Sequence, residues 1–532
     1  AKKGNAAAKK GNAKAQAKGK DPNAPVDLKA LGRPEKSVQA PTLTPDKIDE
    51  QIEKLLAEMN IRPVELSSDE EFLRRIFVDV VGELPTPEQI TKFRTTRNSS
   101  KRARLIDSLL ASPKFGENWA AYWRDVIASR ATNQNPGRLE GYKDLETWLA
   151  EQFNQNRPWD EISRDMITAT GKLDENGAIG MMLAHQDGGK VAEVEIAGEV
   201  ARVFLGIQIQ CAQCHDHPSD QWKRDQFHGF ASFFAGIRAR AGGMQDPEVS
   251  NQPRAGYAMP DLNDPAKRIP VEPRFFLDTS SGDIPRNLTT ENRRRLAASF
   301  ITGQDNPWFA RAFVNRIWAA LIGEGFYTPI DDIGPTREAQ AEELLNLVAD
   351  QWRQGGYDVK WLFRTVLNTK AYQRRIRSTF SEAGRTSFAA NTVSRLRSDQ
   401  IVAALEDSIG AKLGARDGRG GNRGAKALFD VDPSTPSDEV QQTIPQALFL
   451  MNDPRLHSAI VGKNSLASQV TKSTRNDVAA MEAIYLRILA RRPTTREGQV
   501  FSAHLRTAKS RQEAYEDLVW ALINSTEFQS RH

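Results

Sequence analysis

Cysteine is almost absent from this chain. Only Cys211 and Cys214 occur in 532 residues, which excludes a disulfide framework. No run of 18 apolar residues exists, so the sequence contains no membrane-spanning helix. Histidine is also scarce, at seven. Excess charge is missing from most of the chain. The net charge is +5, yet residues 1–20 hold seven lysines and no acid, leaving the remainder at −2. A nearly neutral body argues against nucleic acid as a partner. With 39% apolar and 27% charged residues, the composition is globular, and the length suits two or three domains.

What is present is concentrated. Residues 200–235 hold both cysteines and three of the histidines, His215, His217 and His228. Cys211-Ala-Gln-Cys214-His215 is the attachment pattern of a c-type haem. Two thiols three residues apart on one helical turn can add to the two vinyl groups of one porphyrin. His215 then reaches the iron as proximal ligand. Two other uses compete. A zinc site would take Cys211, Cys214 and His217, with His185 or His228 as fourth ligand. A redox dithiol would follow an apolar strand. Ile196, Val200, Val203, Phe204 and Ile207 instead recur at helical steps before Cys211.

The stretch Phe204-Leu-Gly-Ile-Gln-Ile-Gln-Cys-Ala-Gln-Cys-His-Asp-His-Pro218 resembles the signature of the planctomycete cytochrome-c-like DUF1549 (PSCyt2) proteins. So do Asp79-Val-Val-Gly-Glu-Leu-Pro-Thr-Pro-Glu88 and Leu109-Leu-Ala-Ser-Pro-Lys-Phe-Gly116. The second half resembles the DUF1553 (PSD1) domain that usually follows. The matching segments are Asn306–Trp318, Gly356–Asp358, Ala371–Gln373, Pro445–Asn452, Arg491–Thr494 and Trp520–Phe528. The resemblance names a family by domain and not by activity. His228 departs from it, standing where an aromatic residue such as Tyr is expected.

The pattern along the chain predicts a mainly α protein with little β: a multi-helix bundle with a haem-binding segment and a second helical domain. Residues 1–44 form a basic Lys/Ala/Gly/Pro arm, expected to be disordered. Residues 45–245 make the first helical domain and 246–288 a loop-rich connector. Residues 289–532 make the second domain, with a Gly/Arg-rich insertion at 410–426. Within the first domain, 171–190 reads as a Gly-rich loop carrying Met181, Met182 and His185. Trp222, Phe227, Phe230, Phe233 and Phe234 recur at helical steps, as core or as a haem wall. Arg316 is expected to pair with Asp331 or Asp332 as a buried lock. His457 and His504 read as ordinary satisfied histidines.

The function expected is an exported c-type haem protein, periplasmic, at the cell surface or extracellular, working in redox or electron transfer. Ala1 is read as a mature N-terminus left by signal cleavage. The iron's other axial position falls to Met259, His228 or His185, or stays open. Met259, on a Pro-bearing loop 45 residues beyond Cys214, is favoured. The alternatives are a structural or assembly protein with zinc at the Cys/His cluster, and a haem enzyme acting oxidatively on polysaccharide. The partners expected are a redox protein and, through the arm, anionic polysaccharide or the envelope; self-association into a homo-oligomer is compatible with the sequence.

Overall fold

The computed structural model describes residues 36–132, 139–240, 246–264, 266–277, 284–285, 288–376, 386–410, 412–413, 421–436 and 442–531. Most of the basic arm, and residues 411 and 414–420 of the Gly/Arg-rich insertion, lie outside these.

The fold is mainly α, and the helix starts follow local chemistry. Thr44 caps Pro45–Glu58, its hydroxyl accepting from the Lys47 N–H. Ser68 and Glu71 form a reciprocal capping box for Asp69–Val81, and Thr86 with Gln89 does the same for Pro87–Thr95. Proline occupies the first turn of Pro87–Thr95, Pro113–Ala128 and Pro307–Ile322, where its missing N–H is harmless.

The core does not divide between 245 and 289. One hydrophobic cluster runs from Leu43 to Ala490 and draws on both halves of the chain. Phe313 of the second half stacks on Trp123 and on Trp352, at centroid separations of 5.7 and 4.5 Å. Burying each such ring contributes about 1.5–3 kcal/mol, so this shared core welds the halves together. A smaller cluster gathers residues 396–528, with Val78 and Leu84 of the first half packed into it. The chain end closes this unit: Ser530–Arg531 pairs antiparallel with Ser394–Arg395, and Arg531 reaches the buried Asp79 at 2.7 Å.

Three segments differ from the sequence reading. Residues 171–190 are not a plain loop. They supply strands Gly171–Lys172 and Gln186–Asp187, and Gly188 and Gly189, both at positive φ, turn the chain into Lys190–Val191. Glu248–Asn251, placed in the connector, pairs with Ile237–Arg240 and with Gly171–Lys172, completing a five-stranded antiparallel sheet. Met259 lies on strand Ala258–Pro260, paired with Arg268–Pro270, rather than on a loop. In each case cross-strand backbone bonding overrode a composition rich in Gly and Pro. The insertion also gives way early, to a helix at Gly421–Phe429.

Residues 36–43 lie extended on the body. Lys36 Nζ meets the fully buried Asp160 at 2.9 Å, and Gln39 N–H donates to the Gln354 carbonyl. Among the described residues no helix is long and apolar enough to cross a membrane.

Candidate functional site

The cysteine turn is positioned by the buried segment before it. Glu193–Val200 is α-helical and Ala201–Leu205 continues as a π-helical turn. Gly206 ends it at φ 68, and a Cβ there would stand 2.7 Å from Ile333 Cδ1, so glycine is required twice over. Ile207 and Ile209 are buried and anchor the exit. Gln210–Gln213 is a 3₁₀ turn whose Ala212 points inward while Cys211 and Cys214 are free thiols exposed on the outside.

His215 follows, exposed, with Nδ1 2.7 Å from the Asp216 carbonyl. A carbonyl only accepts, so Nδ1 carries the proton and Nε2 holds the lone pair. Asp216 accepts from the Arg224 N–H at 3.1 Å and from Lys223 Nζ at 3.0 Å. Those contacts, the backbone one foremost, hold its carboxyl below the usual range.

His228 is buried and holds the turn from behind. Its Nε2 donates to the Gln213 carbonyl at 3.0 Å, which leaves Nδ1 to accept from the Tyr257 hydroxyl at 2.7 Å. Burial pushes the imidazole's pKa down. Both ring nitrogens are thus engaged within the protein. Met259 Sδ stands 3.5 Å from Arg224 Nη1, and Arg224 Nη2 donates to the Pro260 carbonyl. Arg224 therefore links the strand bearing Met259 to Asp216 beside His215. His185 is buried just ahead of strand Gln186–Asp187, its carbonyl accepting from Ala192 N–H. Among the described residues no three His, Cys, Asp or Glu side chains gather as a metal site, so Cys211, Cys214, His217 and either further histidine are not assembled for zinc. The aromatic residues after the motif are core: Phe230 packs on Phe276 and Phe234, and Trp222 on Phe276. His504 bonds Asp517 and His457 lies at the surface.

The expected lock exists and is larger than a pair. Arg316 stands 3.6 Å from Asp331, both buried, while Asp332 pairs with Arg337 instead. Arg202, from the π turn, reaches Asp331 at 3.1 Å and Glu199 at 2.7 Å. Burial would raise the Asp331 carboxyl; the Arg316 and Arg202 guanidiniums outweigh it and hold it below 3.8. Two acids and two guanidiniums thus balance inside the protein and bind the cysteine segment to the second half.

Sequence reasoning missed a cavity of about 400 Å³ where Pro113–Ala128, the end of Pro307–Ile322, residues 392–400 and the stretch after Phe429 converge. Asp125, Arg397 and Tyr122 line it. Its residues come from distant segments, and no short motif marks it.

A mainly helical chain with an exposed Cys-x-x-Cys-His turn, backed by a buried helix and a small antiparallel sheet, defines the class. Residues 47–239 match the family model PSCyt2, a protein of unknown function (DUF1549), and residues 292–417 match PSD1, a protein of unknown function (DUF1553). The chain thus carries a DUF1549 domain followed by a DUF1553 domain. The second match ends short of 445–452 and 520–528, whose likeness rests on the residues alone. Neither the curated proteins nor the solved structures gave a match.

Proposed function

We propose that this protein is an exported c-type haem protein serving redox or electron transfer, with Cys211 and Cys214 as thioether attachment points and His215 as proximal ligand. One observation carries the reading: the His215 tautomer. An iron-ligating imidazole commonly donates its other N–H to a carbonyl, and Nδ1 does so to Asp216, leaving Nε2 as the basic nitrogen. The thiols fit the chemistry because they are unpaired and exposed on one turn. Cys211 and Cys214 would each hold the haem by one thioether bond, the thiol's sulfur and hydrogen going to the two carbons of a vinyl C=C with no atom lost. When bound, haem supplies one-electron chemistry.

The chain's own residues set the surroundings. The Asp216 carbonyl orients His215, and His228 fixes the turn through Gln213. Met259 would be the favoured second iron ligand: His228 would have to give up two hydrogen bonds, whereas the Met259 thioether would give up one long contact, 3.5 Å, to Arg224, which links its strand to the turn. An exposed turn suits a redox partner that must approach the haem edge. The arm's lysines suit anionic polysaccharide or the envelope.

The test is intact mass spectrometry of protein made in a host with working cytochrome maturation. The expected mass is the polypeptide plus one haem, retained on denaturation. An unmodified polypeptide rejects the reading; stoichiometric zinc in that sample would favour the metal-site alternative.

A further inference from the structure

The cavity between the halves shares no residue with the cysteine turn. Its walls come from Trp119, Tyr122 and Asp125 on one helix, Ile330 and Thr392 from the second half, and Leu396 and Phe429 beyond. About 400 Å³ is within the range of small-molecule sites.

Two features of the wall point to an occupant. Tyr122 and Thr392 are buried, at 5% and 7% exposure; the Thr392 hydroxyl has no hydrogen-bond partner, and the Tyr122 hydroxyl has only a poorly aligned contact with the Arg316 guanidinium. Orphaned buried hydroxyls are uncommon, because each costs about 1–3 kcal/mol of desolvation. Burial raises the Tyr122 pKa, outweighing the charge and hydrogen bond of the Arg316 guanidinium, so its hydroxyl keeps its proton. Each hydroxyl can donate and accept.

The charges around the cavity narrow the class. Asp79 is paired with Arg531, Arg397 with Asp399, Asp125 with Arg124 and Asp432 with Arg130. Glu324 accepts the backbone N–H groups of Thr386 and Phe388. Arg395 donates to Gln446 and lies over the Phe429 ring. Asp430 also lines the cavity, and burial pushes its carboxyl up against the nearby Arg124 charge, toward the neutral form. With most of these charges answered by ion pairs or hydrogen bonds inside the protein, an ionic ligand gains little. A ligand that offers hydroxyls to Tyr122 and Thr392, and an apolar face to Trp119 and Leu396, gains more.

We infer that the cavity lined by Tyr122, Thr392, Asp125 and Trp119 binds a neutral, hydroxyl-rich organic ligand of sugar size. Asp125 supplies a further contact. Burial, with Asp399 and Asp430 nearby, pushes its carboxyl up to about 6 despite Arg124 and Arg397, so below that pH it donates a proton to a ligand oxygen.

The experiment is isothermal titration calorimetry of the full chain. The probes are glucose, galactose, xylose and cellobiose, with glucuronate and glucosamine as charged comparators. Saturable binding of a neutral sugar is expected, weakened ~10-fold in Tyr122→Phe and by a similar factor in Thr392→Val, each removing one hydroxyl contact. Both substitutions keep the shape of the wall, and circular dichroism verifies that each variant folds; should one not, the other decides. No binding by any neutral probe overturns the inference. So does affinity unchanged in the folded variants, or tighter binding of either charged comparator than of glucose.

Discussion

The cysteine turn draws its chemical groups from five consecutive residues, and every one of its reactive atoms faces outward. The cavity and the charge network inside the molecule are built the opposite way. Asp79 and Arg531 meet across 452 positions, and Arg202 and Asp331 across 129. The turn's chemistry should therefore be separable from stability, whereas the interior groups should carry stability directly. Substitutions in each region can break or sharpen that contrast.

The largest effect is expected at Asp331. Asp331→Asn leaves Arg202 and Arg316 buried with Glu199 as the remaining acid. Breaking one partner of a buried charge cluster costs about 3–5 kcal/mol. Urea unfolding measures it as a lowered midpoint at unchanged slope. A loss under about 1 kcal/mol would remove the network from the account of how the halves hold together.

Asp125 comes next and is read through pH. Its folded carboxyl stands at about 6 against an ordinary 3.8. The folded state then holds a proton that the unfolded chain releases, so this group's contribution to stability falls as pH rises from about 4 to about 6 and is flat beyond. The span is at most about 3 kcal/mol. Arg124, Arg397, Asp399 and Asp430 face the carboxyl, so Asp125→Asn should flatten the unfolding profile across that window. A profile identical to that of the wild type would show that another group titrates there.

His228 is buried behind the turn and bonds it to Tyr257. His228→Phe keeps a ring but leaves the Gln213 carbonyl and Tyr257 hydroxyl without their imidazole partner, at about 1–3 kcal/mol. Burial depresses the imidazole's pKa, so the unfolded chain takes up a proton first as pH falls through 6.5. Stability from this group is complete above 6.5 and declines below it. The variant should lose that decline.

Legibility followed the same division. Helix starts at Thr44, Ser68 and Thr86 could be read because a cap and its partner lie three residues apart. The Arg316–Asp331 contact was readable as one of two options, because both residues fall in one apolar neighbourhood. Its extension to Arg202 and Glu199 was not, since nothing in sequence links residue 202 to residue 331. The strands at 171–191 and 248–251 escaped notice because two- to four-residue strands leave no alternation to count, and their glycines read as loop. The cavity was invisible for the strongest reason: Tyr122 and Thr392 become notable only once packing leaves the Thr392 hydroxyl without a partner and sets the Tyr122 hydroxyl beside Arg316 in the same wall.

The smallest stability effect is expected at the residues with the most distinctive chemistry. In the polypeptide without haem, Cys211→Ala with Cys214→Ala removes two exposed thiols that bond to nothing. Surface substitutions of this kind stay within about 0.5 kcal/mol. Ala212, buried between them, is untouched, and the Gln213 carbonyl still accepts from His228. The turn should therefore keep its shape, so urea midpoints of the double variant and the haem-free parent should coincide. In a cytochrome-maturing host the same variant should lose all covalent haem while remaining folded. A clear drop in the haem-free midpoint would mean that the thiols hold the turn together, and the contrast between an outward, separable site and a stabilising interior would fail at its exposed end.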